Sequence, residues 1–308
     1  MAGRIAVIGS NMVDLVTYVT RMPDRGETVE APAFEMGHGG KGANQAVAAA
    51  KLGADVMMVT KVGDDMFGDG TVANLGRFGI DTRHVGKVAG RSSGVAPIMV
   101  EPSGENAILI VKGANADLSP EDVERAGDDL RRCDLILLQL EVPVDTVYAA
   151  LDFGQRHNIA TLLNPAPASP SLDVARIASA TFLVPNETEL RTLSGLPVDS
   201  LAQVEAAARS LVVRGIGTVI VTLGSRGALL VEAGGSTPIP PHPATPVDTT
   251  GAGDAFIGSF ARYYVAERDV VAALRRAARY AADSITRRGT QKAYATAAEF
   301  DASGGADP

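Results

Sequence analysis

The chain is predicted to form an α/β fold: a central, mostly parallel sheet flanked by helices in Rossmann-type layers, with a small β-sheet lid. Three observations carry this. Short apolar runs alternate with longer stretches whose apolar residues recur at helical spacing, the signature of βα units. The apolar runs carry too few polar residues to be half-exposed, so both faces of the sheet must be covered. Two segments, 12–37 and 94–112, break the alternation with extended-looking pieces that a parallel sheet does not need.

In order along the chain, IAVIGS at 5–10 is the first strand, and LVTYVT and ETVEAPAFEM within 12–37 are lid strands. GANQAVAAAKLG follows as a helix and VMMVTKV at 56–62 as a strand. GVAPIMV and NAILIVK, around Glu101-Pro102-Ser103-Gly104-Glu105, form a hairpin of the lid. SPEDVERAGDDLRRC opens with an N-cap serine, a proline in the first turn and two acids facing the helix dipole. LILLQLE at 135–141, the helix PVDTVYAALDFGQRH, IATLLN at 159–164, FLVP at 182–185, the helix SLAQVEAAARSLVVRG and TVIVTL at 218–223 continue the pattern. From about 251 the pattern is helical almost continuously, through GAGDAFIGSFARYYVAERD and VVAALRRAARYAADSITRR, and the last eight residues, DASGGADP, are a frayed end. No repeat or linker divides residues 1–308, so one domain with an inserted lid is expected, the lid over the strand ends where open α/β sheets bind ligands.

Composition narrows the function. Lys and Arg number 28 against 36 Asp and Glu, a net charge of −8, opposite in sign to the footprint of a nucleic-acid binder. No run approaches 18 apolar residues, so no membrane span is expected, and the start of the chain lacks the long apolar region of a signal peptide. A single cysteine, Cys133, suits a reducing, cytoplasmic setting. His38, His84, His157 and His242 have no metal-ligand spacing.

Two glycine-rich segments point to chemistry. GHGGKG at 37–42 contains G-x-G-x-x-G but follows a lid-like segment instead of the first buried strand, and it lacks the Ser or Thr of a phosphate-binding Walker loop. It is either a turn before a helix or a backbone surface that a polar ligand approaches closely. VDTTGAGDAFIGSF at 247–260 opens a long helix with small residues, so unpaired N–H groups and the positive end of the dipole converge on an anion site. Asp254 beside it either compensates the dipole or deprotonates a hydroxyl for phosphoryl transfer.

GGKGANQA at 39–46 and DTTGAGDAF at 248–256 together resemble the two signature segments of the ribokinase-like (PfkB) carbohydrate kinases. Asn186-Glu187-Thr188-Glu189 resembles the family's N-x-x-E motif, TLGSRG at 222–227 its nucleotide loop, and LLNPAPA at 162–168 and Glu141 also match. The resemblance runs from about residue 4 to 300. It implies ATP-dependent phosphorylation of a sugar hydroxyl, with Asp254 as general base and the N–H groups of Gly251, Ala252 and Gly253 holding charge on the transferred group. Asn186 and Glu189 would organise Mg²⁺ through water. Thr222, Gly224, Ser225, Gly227 and Gly253 would line the nucleotide, while Asp14, Gly40, Lys41, Gly42, Asn44 and Glu141 would bind the sugar. Asp248 and Thr250, with carbonyls near Ser284, Arg287 and Gly289, resemble a monovalent-cation (K⁺) site, although Ala293 stands where a serine ligand is common. A homodimer through the lid sheet is also implied.

GSNMVDL at 9–15 places Met12 where ribokinases typically have an asparagine that binds sugar hydroxyls. A thioether cannot replace the amide's hydrogen bonds and prefers an apolar neighbour such as a CH₂ at C2. With EAPAF, GVAPI and GTQ, this resembles the deoxyribokinase branch. The expected reaction is phosphorylation of the 5-hydroxyl of 2-deoxy-D-ribose, with D-ribose still accepted, because apolar sites reject an added hydroxyl only weakly. The alternatives are a strict ribokinase, another sugar or nucleoside kinase of the family, or a nicotinamide-dependent oxidoreductase.

Overall fold

The computed structural model describes residues 3–303. Strand β1 (Arg4–Ile8) opens the main sheet, and β2 (Met12–Tyr18) and β3 (Ala33–Gly39) leave it for the lid. Then come α1 (Lys41–Lys51), β4 (Asp55–Gly63), α2 (Met66–Arg77), β5 (Asp81–Val88) and the lid strands β6 (Val95–Val100) and β7 (Asn106–Ile108). Next are α3 (Pro120–Arg125), α4 (Gly127–Leu130), β8 (Leu135–Leu138), α5 (Val144–His157), β9 (Ala160–Leu163) and β10 (Phe182–Leu183). The chain continues through α6 (Glu187–Ser194), α7 (Leu201–Val213), β11 (Thr218–Thr222), β12 (Ala228–Glu232) and β13 (Gly235–Ile239). It ends with α8 (Ala252–Glu267), α9 (Val270–Ser284) and α10 (Ala297–Ser303).

Nine strands form the main sheet in the order β13-β12-β11-β10-β9-β8-β1-β4-β5, and four form a separate sheet in the order β3-β2-β6-β7. The main sheet is parallel from β5 to β11 and antiparallel at the β11-β12-β13 edge. Alternation along each strand feeds two cores, one on each face. Ala6, Ile8, Ile136 and Leu138 pack toward α5 and α7. Ile5, Val7, Leu135 and Leu137 pack with α1, α8 and α9. Both faces are therefore buried, as the apolar runs require.

Three features differ from the sequence expectation. Helix α2 carries three glycines within MFGDGTVANLGR, which weaken its helical signal, and Asp65 caps it by accepting from the Gly68 N–H at 2.9 Å. The β12–β13 hairpin and β5 extend the sheet beyond the six predicted strands. Helix α9 stops four residues short of the stretch read to Arg288: it ends at Ser284, and Gly289, at φ 88°, lies in an irregular segment that runs to α10. Of the predicted frayed end, Asp301 to Ser303 close α10, and the remainder lies outside the described residues. Among the described residues, no helix is long and apolar enough to cross a membrane.

Candidate active site

Helix α8 starts with Gly251 at φ 76°, a left-handed cap with no side chain bonded to the helix's first N–H groups. A Cβ there would lie 2.7 Å from the Tyr294 hydroxyl, which itself donates to the Gly251 carbonyl at 3.0 Å, so only glycine fits. The Ala252 N–H donates to Thr249 O at 3.2 Å and the Ala255 N–H to Gly251 O at 2.9 Å. Of the three donors predicted for an anion, Ala252 is thus already engaged, and Gly251, Gly253 and Asp254 line the cleft. No atom lies within 4 Å of the position a Cβ would take on Gly253, which leaves room for a ligand.

Asp254, in the first turn, is 7% exposed. Its two oxygens accept from Asn44 Nδ2 and Gln45 Nε2, each at 3.0 Å. Burial raises its pKa, while Lys41 and the two amides pull the other way. Its environment makes it a proton acceptor more basic than an ordinary aspartate.

The start of α1 brings in the facing residues. Gly40, at φ 87°, lets the helix start press against the turn after β1, where a Cβ would lie 2.7 Å from the Asn11 Cα. The Lys41 N–H donates to Glu141 Oε2 at 2.9 Å, and Ser10 Oγ donates to the same oxygen at 2.5 Å. Burial opposes the charge on the Lys41 ammonium, yet Asp254, Glu141 and Glu189 around it raise its pKa. Asp14 is pushed up to about 6, by burial first and by Glu141 second. Met12 is 2% exposed at the first position of β2, paired with Gly39. Asn44, predicted to bind sugar, has its carboxamide committed on both sides, donating to Asp254 and accepting from Gln291 Nε2 at 3.0 Å.

Across the cleft, Asn186 and Glu189 form a reciprocal cap on α6. The Glu189 N–H donates to Asn186 Oδ1 at 2.8 Å, and the carboxylate accepts from the Asn186 N–H and Nδ2 at 2.8 and 2.9 Å. Burial raises the Glu189 pKa against the pull of those bonds and of Lys41. Asn186 also bridges to Thr222, and Gly224 and Ser225 lie exposed in the turn beyond it, closed by Gly227 at φ 86°. One cleft is lined by Lys41, Asn164, Asn186, Glu189, Thr222, Thr249, Gly251, Ala252, Gly253 and Asp254. Sugar-side and nucleotide-side candidates therefore meet at Asp254, with Glu141 beside Lys41 and Asp14 beside Glu141.

Of the predicted cation residues, Asp248, Thr250 and Gly289 come together, while the Ser284 and Arg287 side chains bond elsewhere. Asp248 accepts from the Thr250 and Gly289 N–H groups, each at 2.9 Å, and the Ile285 carbonyl accepts from the N–H groups of Val247 and Asp248. Those donors, with Arg288 nearby, hold the Asp248 pKa down against partial burial. Arg287 turns its guanidinium to Asp283 and to the Ala293 carbonyl, and Ser284 is buried with its hydroxyl on Ala281 O. Among the described residues, no three His, Cys, Asp or Glu side chains converge as a metal cage. A divalent ion in the cleft would draw its ligands mainly from phosphate oxygens and water, which fits Glu189 in the water-mediated role predicted for it.

Residues that sequence reasoning did not single out complete the site. Gln45, Gln139, Asn164, Gln291 and Asn74 form a buried amide cluster around Asp254. Gln45 lies within GGKGANQA and was within reach of a motif reading. Asn164 and Gln291 likewise lie within LLNPAPA and GTQ, whereas Gln139 and Asn74 come from segments that carry no local signal.

The model of the pfkB family of carbohydrate kinases matches residues 2–297. The chain is 56% identical over 297 residues to the deoxyribokinase of Salmonella typhi, covering 96% of this chain and 97% of that one. It is 40% identical over 297 residues to the ribokinase of Bacillus subtilis (strain 168), covering 96% and 98%. The solved structure of Arabidopsis thaliana ribokinase complexed with ribose and ATP matches with a TM-score of 0.93 at 30% identity, over 98% of both chains.

Proposed function

The chain belongs to the pfkB family of carbohydrate kinases and is a sugar kinase, and from that premise we propose that it transfers the γ-phosphoryl group of ATP to the 5-hydroxyl of 2-deoxy-D-ribose, with D-ribose a usable second substrate. The family membership replaces the nicotinamide alternative. The observation that carries the reading is the position of Asp254, a buried carboxylate at a helix start whose N–H groups face the same cleft.

Asp254 takes the hydroxyl proton as the sugar oxygen bonds to the γ-phosphorus, and the bond from that phosphorus to the β–γ bridging oxygen breaks to release ADP. Charge on the transferred group is met by the Gly251 and Gly253 N–H groups, the α8 dipole and the Lys41 ammonium. Glu189 and Asn186 would hold Mg²⁺ through water, and the ion would supply charge neutralisation at the phosphates. Thr222 to Gly227 provide a mostly backbone wall for the nucleotide, consistent with a protein whose net charge of −8 offers polyphosphate no general attraction. Asp248 stays anionic and faces the 285–289 segment, which supports a bound K⁺ beside the helix start.

Selection for deoxyribose rests on Met12, whose buried thioether offers no hydrogen bond to a C2 hydroxyl. The 56% identity to a deoxyribokinase supports the same reading. A coupled ADP-release assay across pentoses, hexoses and nucleosides, with and without K⁺, tests it. The expected result is the highest kcat/KM for 2-deoxy-D-ribose and stimulation by K⁺; a higher value for D-ribose or a nucleoside would overturn the substrate assignment.

The small sheet supports a homodimer. On its face opposite Asp14, the exposed Phe34 and Met36 register with Thr17 and Leu15, which adjoin Met99 and Pro97. A purely monomeric sedimentation profile at micromolar concentration would refute the dimer.

A further inference from the structure

Two chains of buried amide side chains end on the oxygens of Asp254, and we propose that Gln291, backed by Asn74, and Gln139 are positioning residues that orient this carboxylate through Asn44 and Gln45. The inference rests on the reading of Asp254 as the proton acceptor.

The direction of every amide follows from the carboxylate. An ionised carboxylate only accepts, so Asn44 and Gln45 must each present an NH₂ group to it. Asn44 Oδ1 then faces outward and requires a donor, which Gln291 Nε2 supplies at 3.0 Å. Gln291 Oε1 in turn accepts from Asn74 Nδ2 at 2.8 Å. On the other branch, Gln45 Oε1 accepts from Gln139 Nε2 at 2.6 Å, and Gln45 Nε2 also reaches Asn164 Oδ1 at 3.3 Å. Asn44, Gln45, Asn74, Gln139, Asn164 and Gln291 are all buried. They come from α1, α2, the ends of β8 and β9, and the irregular segment after α9, so the whole fold converges on one side chain.

One atom shows that this polarity is kept at a cost. Gln139 Oε1 is buried without a partner, packed so closely on Gly9 that a Cβ there would lie 2.0 Å away. Reversing the Gln139 amide would put two oxygens face to face at Gln45 and release Gln45 to turn its own oxygen toward Asp254. A network serving packing alone has no reason to leave that acceptor unsatisfied.

The test is the pH profile of kcat for the full chain carrying Gln291→Met, Gln139→Met, Gln291→Glu and Asp254→Asn, with folding checked by circular dichroism. Loss of an outer donor should lower kcat about tenfold, the scale of one buried hydrogen bond, with the pentose KM changed less than twofold. The acid limb should move to higher pH, because an inner amide no longer held in place donates less to the charged carboxylate and favours it less. Gln291→Glu keeps the shape and the acceptor for Asn74 but, ionised, gives Asn44 no donor, so it should lose at least as much as Gln291→Met. If Gln291→Met fails to fold, this near-isosteric variant and Gln139→Met decide. Folded variants with unchanged kcat and an unmoved acid limb, beside an inactive Asp254→Asn, would overturn the positioning role while leaving the base in place. An active Asp254→Asn would remove the base itself.

Discussion

Asp254 and Asp14 both feel the Glu141 carboxylate, and the protein treats them in opposite ways. Asp254 has both oxygens occupied by amide donors that are themselves fixed by further amides. Asp14 receives no hydrogen bond from any described residue and faces a second carboxylate, Glu141. Burial raises both pKa values, but only Asp254 is compensated. One end of the cleft is therefore built before substrate arrives, as chemistry requires. At Asp14 the lone pairs are left without a protein donor, which on the proposed reading lets the hydroxyls of the sugar complete recognition.

The sharpest way to break this contrast is Asp254→Asn. The amide matches the carboxylate in shape but cannot take a proton, so kcat should fall by about 10² to 10⁴ in steady-state assays. Pentose binding, measured by calorimetry, should survive, because the sugar-holding groups beyond Lys41 are untouched. Near-full turnover with intact nucleotide binding would show that the two ends do not divide chemistry from recognition.

Met12→Asn probes the other end with a smaller effect. It places a carboxamide where the thioether is buried, beside Asp14, and supplies hydrogen bonds that a C2 hydroxyl can use. The kcat/KM ratio of D-ribose to 2-deoxy-D-ribose should rise about tenfold, one good hydrogen bond. A ratio that stays put would make Met12 a packing residue with no part in selection.

The same contrast marks what the sequence could disclose. Elements built from contiguous patterns were legible: the buried strands of the parallel sheet, the lid pieces, and glycine-led helix starts at Gly40 and Gly251. Asp254, Lys41, Glu141 and Glu189 stood out because the chemistry at each is carried by a local motif. Gln139 and Asn74 did not, since a lone amide in an apolar segment has no periodicity and gains its meaning only from partners up to 217 residues away. Helix α2 was hidden by its glycines. The β12–β13 hairpin went unread although Gly234-Gly235 is a tight-turn signal between two short strands. The helical spacing read through Arg288 stops at Ser284, where the Ile285 carbonyl is turned to the N–H groups of Val247 and Asp248.

The smallest expected effect concerns stability, and it tests whether the open end of the cleft is held at a cost. A carboxyl raised from 3.8 to about 6 binds its proton more tightly in the native state than in the unfolded chain. Native stability must then decline as pH rises through the window between those two values and stay lower above it. The shift corresponds to roughly 3 kcal/mol, and partial exposure of Asp14 to solvent reduces this to about 1–2 kcal/mol. Asp14→Asn removes the charge while keeping the shape. In urea unfolding of the ligand-free protein it should be more stable than the parent by that amount at pH 8 and equal to it at pH 3.5, while the pentose KM rises. Equal stability at pH 8 would mean that the Asp14 carboxylate is solvated as well as an ordinary one, and the contrast with Asp254 would then lie in hydrogen bonding alone.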